Sequence, residues 1–151
     1  MQSNRLKSEV ESMQWLFWAL LSALFAGATA LLAKVGVAEI NSNLATAIRT
    51  TVILVFTWSI AAGTTRIEFW SIGRKTWIFL VLSGIATGFS WLCYFRALQL
   101  GDVSKVAPID KLSVVIAMAL AIAFLGEKPN LREGIGAGLI VLGAIVIAWR
   151  Q

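Results

Sequence analysis

The sequence predicts an all-α integral membrane protein, a bundle of five transmembrane helices with no soluble domain. Three observations carry that reading. First, the 151 residues are 58% hydrophobic and only 14% charged, where an ordinary soluble domain is about 45–50% apolar and about 25% charged. Second, the apolar residues fall into five runs, each near the length that crosses a hydrocarbon core of about 30 Å at about 1.5 Å per helical residue. Third, turn and helix-cap residues collect between these runs.

The same composition narrows the function classes. A net charge of +5 could serve nucleic acid, but the Lys and Arg residues stand singly between apolar runs and form no basic face. Positive residues in short loops are what a membrane protein carries, so the partner to expect is a lipid bilayer, with no nucleic acid. Cys93 is the single cysteine and there is no His. An internal disulfide is therefore excluded, metal-ligand spacing is lacking, and zinc or Ser-His chemistry has no carrier. No metal, no cofactor and no enzyme is expected.

Residues 1–13 form a polar N-terminal tail carrying Arg5, Lys7, Glu9 and Glu11; the membrane domain is expected over 14–150. Ser8-x-x-Glu11 has capping-box spacing, which fits a short amphipathic lead-in as well as a disordered tail. The first span, 15–33, is free of charge. Ala26-x-Ala28 and Ala28-x-Ala30 look like signal-peptide cleavage sites, but the apolar run continues past them and further runs follow, which argues against cleavage.

Asn41-Ser42-Asn43 is a turn and N-cap cluster and opens the second span, 44–62. Arg49 lies about one and a half turns inside it. Its long side chain either snorkels to the headgroups or lines the protein interior. Gly63-Thr64-Thr65-Arg66 closes the span, and a polar loop leads to Lys75. The third span, 77–95, carries Gly84-x-x-x-Gly88, the small-residue spacing that lets membrane helices approach closely. Trp91 and Tyr94 near its end either pack or line a cavity.

The fourth span, 103–125, holds Pro108, Asp110 and Lys111 in its first third. If the helix starts near Asp102, Pro108 lies beyond the first turn and kinks it. If it starts at Ala107, Pro108 takes the favourable first position and Asp110 simply suits the positive helix end. Adjacent helical residues point about 100° apart, so Asp110 and Lys111 should not both face one partner squarely. Arg96, Lys105 or Arg49 is then available to pair with Asp110. Gly126 and Pro129 mark a stop, Asn130-x-x-Glu133 marks the next start, and the fifth span covers 134–149. Its Gly134-x-Gly136-x-Gly138 offers a flat face to a neighbouring helix. It is no nucleotide loop, since no strand precedes it and the last phosphate-loop glycine is absent.

An ionisable side chain in an apolar span usually faces a protein interior or a water-filled path, and a proline beside it helps build a polar site. Candidates for a substrate or ion pathway are Arg49, Trp91, Tyr94, Arg96, Lys105, Pro108, Asp110, Lys111 and Glu127. Candidates for helix packing are Gly84, Gly88, Gly134 and Gly138. Five spans put the chain ends on opposite sides. The N-terminal side collects Arg5, Lys7, Arg66, Arg74, Lys75, Lys128 and Arg132; the other has Lys34, Lys105 and Arg150 in loops or ends, with Arg49, Arg96 and Lys111 near it. Counting loops and ends alone favours a cytoplasmic N-terminus; counting every basic residue gives near balance.

Several segments resemble the EamA-like family of the drug/metabolite transporter superfamily, over essentially Trp15 to Trp149. They are Arg49-Thr50, Leu82-Ser83-Gly84, Tyr94-Phe95-Arg96-Ala97-Leu98, Ser104 through Ser113 around Asp110-Lys111, Leu125-Gly126-Glu127-Lys128, and the Gly-rich last span. The chain looks like a short, single-repeat, five-helix member. That resemblance implies an inner-membrane bundle and secondary transport of a small solute, with proton coupling as one form it takes. Asp110 or Glu127 would carry a coupling proton, and Arg49, Arg96, Lys105 or Lys111 would hold an anionic solute. Larger members carry two repeats in opposite orientations, so a single repeat implies a homodimer or a heterodimer with another short repeat. The alternative is a non-transporting membrane subunit that assembles with a partner through its Gly faces. No ATP-binding loop is present to drive primary transport.

Overall fold

A computed structural model describes residues 2–66 and 68–149, with side chains from residue 14 onward. The described chain is helical and contains five helices or helix runs long and apolar enough to cross a membrane. Helix α1 (Gln2–Gly36) includes the apolar stretch Gln14–Gly36, α2 is Ser42–Thr64 and α3 is Arg74–Leu100. The fourth span is divided into α4 (Val103–Asp110), α5 (Leu112–Leu120) and a closing π turn, Ala121–Leu125. Helix α6 covers Leu131–Ala148.

Local chemistry explains the ends. Asn41 accepts a 2.8 Å hydrogen bond from the Asn43 backbone N–H and caps α2, supplying a partner to one of the unpaired donors at a helix start. Gly126 has φ 71°, a left-handed conformation that glycine adopts without a Cβ clash, and it stops the fourth span. Asn130 and Glu133 form a reciprocal capping box: the Asn130 N–H donates to Glu133 Oε2 at 2.7 Å, and the Glu133 N–H donates to Asn130 Oδ1 at 3.0 Å. Between α2 and α3, Phe69 in a short 3₁₀ turn lies against Trp58 and Trp77, with ring centroids 5.9 and 6.4 Å away. In contrast, α1 begins at Gln2, ahead of Ser8, so Ser8-x-x-Glu11 does not mark a helix start.

Pro108 decides the shape of the fourth span. The helix begins at Val103 with Asp102 as N-cap, which puts Pro108 beyond the first turn. Lacking an N–H, it cannot continue the hydrogen-bond ladder. The Lys111 N–H instead donates to the Pro108 carbonyl at 3.1 Å, a tightened turn, and a new helix begins at Leu112. The reading with a helix start at Ala107 is thereby excluded.

Helix α3 is the centre of the bundle, packing against α2, α1 and α4, while α6 lies against α4 and α5. The buried core is small and sits at one end. It consists of Ala33 and Val37 of α1 and the turn after it, Ala45 of α2, and Phe95 and Leu98 of α3, with Val103 and Val106 of α4 packed on it. At this end two helices are tied together. Lys34 Nζ donates to the carbonyls of Leu98 (2.6 Å) and Gly101 (2.8 Å) at the end of α3. Gln99 Nε2 donates to the carbonyls of Val37 (3.0 Å) and Ile40 (2.6 Å) after α1. The Leu98 carbonyl is among the last of α3, which have no partner within the helix, while Gly101, Val37 and Ile40 belong to the turns that follow α3 and α1.

Elsewhere the bundle turns apolar side chains outward, with Phe56, Phe89 and Val146 each more than 60% exposed. Such a surface suits hydrocarbon, where every polar group must be satisfied internally. The hydroxyls comply: Thr50, Thr57, Ser59, Thr64 and Thr87 each donate to the carbonyl four residues back. Among the described residues no buried side-chain polar atom lacks a partner. At Gly84, Gly88, Gly134, Gly136 and Gly138 an added Cβ would meet nothing within 4 Å. Within the chain these glycines leave room for a side chain; Gly88 borders a hollow against Thr46, Ala47, Thr50, Thr51 and Leu54 of α2.

Candidate functional site

Four helices surround a polar cavity of about 210 Å³. Helix α1 contributes Ala26 and Thr29, α2 contributes Arg49, and α3 contributes Ser90, Trp91 and Tyr94. Asp110 and Lys111 come from the break between α4 and α5. The site lies about two turns inward from the packed end, or about 10 Å at 1.5 Å per residue. Arg49, Trp91, Tyr94, Asp110 and Lys111 are thus brought together from segments more than sixty positions apart.

Arg49 reaches across to α3 instead of to the membrane surface. Its guanidinium lies 4.7 Å from the Trp91 ring centroid and 5.2 Å from that of Phe95. Both distances fall within the reach of cation–π attraction, which favours a guanidinium over an aromatic face when water is scarce. The snorkelling geometry is not adopted.

Asp110 and Lys111 face the same cavity, contrary to the angle argument for an unbroken helix. The backbone at Lys111 (φ −67°, ψ −8°) stays in the right-handed helical region, so the neighbours still diverge, and it is the long Lys side chain that reaches back to the cavity. Lys111 Nζ stands 3.7 Å from Asp110 Oδ2, with side chains 56% and 37% exposed. A pair that open is weakly held and can exchange its partner for a ligand. Lys111, rather than Arg96, Lys105 or Arg49, is the ion-pair partner of Asp110.

Three candidates lie elsewhere. Arg96 donates to Gln99 Oε1 at 3.0 Å on the exposed side of α3. Lys105 pairs with Asp102 at 3.7 Å at the start of α4. Glu127 follows the π turn at the opposite end of the fourth span, where its N–H donates to the Ala121 carbonyl at 3.3 Å. Pro108 does not line the cavity; its contribution is the helix break.

Thr29, Ser90 and Phe95 were missed by sequence reasoning. Thr29 had one signal, a hydroxyl inside the charge-free first span. Two further hollows adjoin the site. Arg49 and Thr29 also border an apolar groove of about 350 Å³ between α1 and α2. Tyr94 and Asp110 also border a crevice of about 340 Å³ between α3 and α4 that Cys93 lines. Among the described residues no three His, Cys, Asp or Glu side chains gather as a metal site. The cavity offers two basic side chains, one carboxyl, hydroxyls and aromatic faces, a set suited to holding charged groups.

Five apolar helix runs, four of which line a polar cavity, define a multi-pass helical membrane protein with a polar site inside its spans. Residues 13–149 match the model of the EamA-like transporter family, and the chain belongs to that family. It is 55% identical over 138 residues to an uncharacterized transporter in the cobO 3' region of a Sinorhizobium species, a match covering 91% of this chain and 98% of that protein. It is 29% identical over 139 residues to the uncharacterized transporter YxxF of Bacillus subtilis strain 168, covering 90% of this chain and 43% of YxxF. The chain therefore spans less than half the length of the Bacillus protein. No solved structure matches. Family and relatives point to transport across a membrane, not to catalysis.

Proposed function

We propose that the protein is a secondary transporter of a small anionic or zwitterionic solute and not an enzyme, with the cavity between α1, α2, α3 and the α4–α5 break as its solute site. The carrying observation is the convergence of Arg49, Trp91, Tyr94, Asp110 and Lys111 on about 210 Å³ inside the apolar spans. Arg49 and Lys111 receive the negative group of the solute. Asp110 receives its positive group or a coupling proton. The aromatic faces of Trp91 and Tyr94 exclude water around them. Placement in the inner membrane with a cytoplasmic N-terminus accords with the loop charges.

The transporting unit in this proposal is a dimer, with itself or with another short repeat. Support comes from the helix faces at Gly84, Gly88, Gly134 and Gly138, which leave room for a side chain within this chain, and from the half-length match to YxxF. A site reached from either side in turn is commonly built between two repeats. The same free faces favour a second reading, a non-transporting membrane subunit. Asp110→Asn separates the two. In proteoliposomes tested with a panel of amphoteric and anionic solutes, the variant should lose flux while membrane insertion and oligomer size stay unchanged. Unaltered flux would remove Asp110 from the mechanism, and an absence of flux for every solute with the unaltered protein would favour the subunit.

A further inference from the structure

The cavity lies to one side of the buried core. Between it and the packed end lie Phe95, Leu98 and Val37, each no more than 2% exposed. Toward the other end the described helix halves contain no buried residue. On that side Phe95, Leu98 and Val37 form a plug that begins one residue beyond Tyr94, with the apolar groove bordered by Arg49, Thr29, Val37 and Ile40 running beside it. The reciprocal Lys34 and Gln99 contacts fasten the segments that form this plug.

We infer that Lys34 and Gln99 are gating residues, a two-part latch that holds the packed end shut and must release for a solute to pass it. This rests on the transporter reading above. Four hydrogen bonds make the latch, all from side chains to carbonyls at or after helix ends. Lys34 ties α1 to the end of α3 and to Gly101, the turn into α4. Gln99 ties α3 back to the segment joining α1 to α2. One latch thus fixes the relative positions of four helices.

Its construction suits release. Both side chains are only half-buried at the end of the bundle, where water can replace each bond, so the net free energy of opening is far below the gross strength of the contacts. A backbone–backbone ladder would not part in this way. The plug beneath is also thin, since two of its members, Ala33 and Ala45, are alanines. Gly101 keeps the α3–α4 turn tight: a Cβ there would stand 3.1 Å from Val106 Cγ2. The plug is joined to the solute site as well, because Phe95 carries the Arg49 guanidinium on its ring.

Thiol labelling tests the latch in the full chain. Cys93→Ser removes the native thiol and Thr29→Cys places one on the cavity wall. A membrane-impermeant maleimide is then applied to proteoliposomes from the side bearing the α1–α2 turn. With the latch intact, labelling from this side should be slow. Lys34→Met and Gln99→Glu should each raise the rate about ten-fold, the population shift that accompanies about 1.4 kcal/mol; Lys34→Arg, which keeps the donors, should restore slow labelling. Gln99→Glu has nearly the shape of the original side chain, so it decides the matter if Lys34→Met fails to insert. Unchanged rates in Gln99→Glu, with a fall in melting temperature alone, would reduce the latch to a structural staple and overturn the inference. Labelling reads opening without any solute moving, so its failure and that of the transport reading appear in separate measurements.

Discussion

Replacing Arg49 probes the link between the cavity and transport most directly. In the fold its guanidinium is held between two aromatic rings, 4.7 Å from Trp91 and 5.2 Å from Phe95, so a substitution removes two separable contributions. Loss of the cation–π contacts forfeits about 0.5–2 kcal/mol, depending on how dry the site is. Loss of a charge-assisted hydrogen bond to an anionic solute forfeits about 1.5–3 kcal/mol. Arg49→Gln loses both; the first loss weakens the fold, and the second alone should lower the apparent affinity for solute by at least about ten-fold, since about 1.4 kcal/mol is a factor of ten. Arg49→Lys keeps a charge but not the planar fork that stacks on a ring and grips a carboxylate in two places. Its affinity should lie between the two.

Counterflow in proteoliposomes over a range of solute concentrations reads the order directly, with the protein amount fixed by quantitative blotting. The decisive feature is a graded loss, native above Lys above Gln, carried mainly in the half-saturating concentration. If both variants transport as the native protein does, Arg49 contributes no binding and its stacking on α3 is packing alone. That result would refute the assignment of this cavity as the solute site.

Lys111→Met should reduce transport much more than Lys128→Met, a loop charge. Its effect on thermal stability should stay within about 1 kcal/mol because the ion pair with Asp110 is open to solvent; equal, mild effects on flux would return Lys111 to a surface role. With Cys93 replaced, Lys75→Cys should be shielded from impermeant reagent in intact cells while a cysteine appended at the C-terminus is labelled, and equal labelling of both would mean dual insertion. Single-molecule photobleaching of active liposomes should show two copies, or one copy beside a partner repeat. Gly84→Ala with Gly88→Ala should weaken that association while leaving the monomer folded, since no neighbouring side chain or helix stands within 4 Å of either added Cβ.

The spans were legible because hydrocarbon imposes a length and a composition that few other settings require. The caps were legible too: Asn41, Gly126 and the Asn130–Glu133 box act through neighbours within three or four residues, which the sequence displays. The end of α3 was not. Arg96 stood just past a span expected to stop at Phe95, yet the helix continues to Leu100, because polar residues can extend a helix past the apolar layer. Lys34 and Gln99 escaped notice for a related reason. Their partners are backbone carbonyls 59 to 67 positions away, and a carbonyl has no signature in a sequence. Arg49, Trp91, Tyr94, Asp110 and Lys111 could be named as candidates because ionisable and aromatic groups stand out in apolar spans. That they share one cavity depends on how α2, α3 and α4 pack.

The pair Asp110 and Lys111 shows how side-chain length and a polar cavity change what neighbouring charges can do. On a helix the two diverge by about 100°, and without the long Lys side chain that reaches back, one of them would face lipid or another helix at considerable cost. Pro108 removes an N–H, the Lys111 N–H turns back to the Pro108 carbonyl, and the helix restarts at Leu112. Both charges line the same cavity of about 210 Å³ as Arg49. The backbone irregularity is tolerable because it faces this polar cavity, where freed carbonyls can be solvated. Proline, carboxylate and amine thus work as a unit: the reach of the Lys side chain gives the charges a common cavity, and without the cavity, the break would leave polar groups unpaired in hydrocarbon.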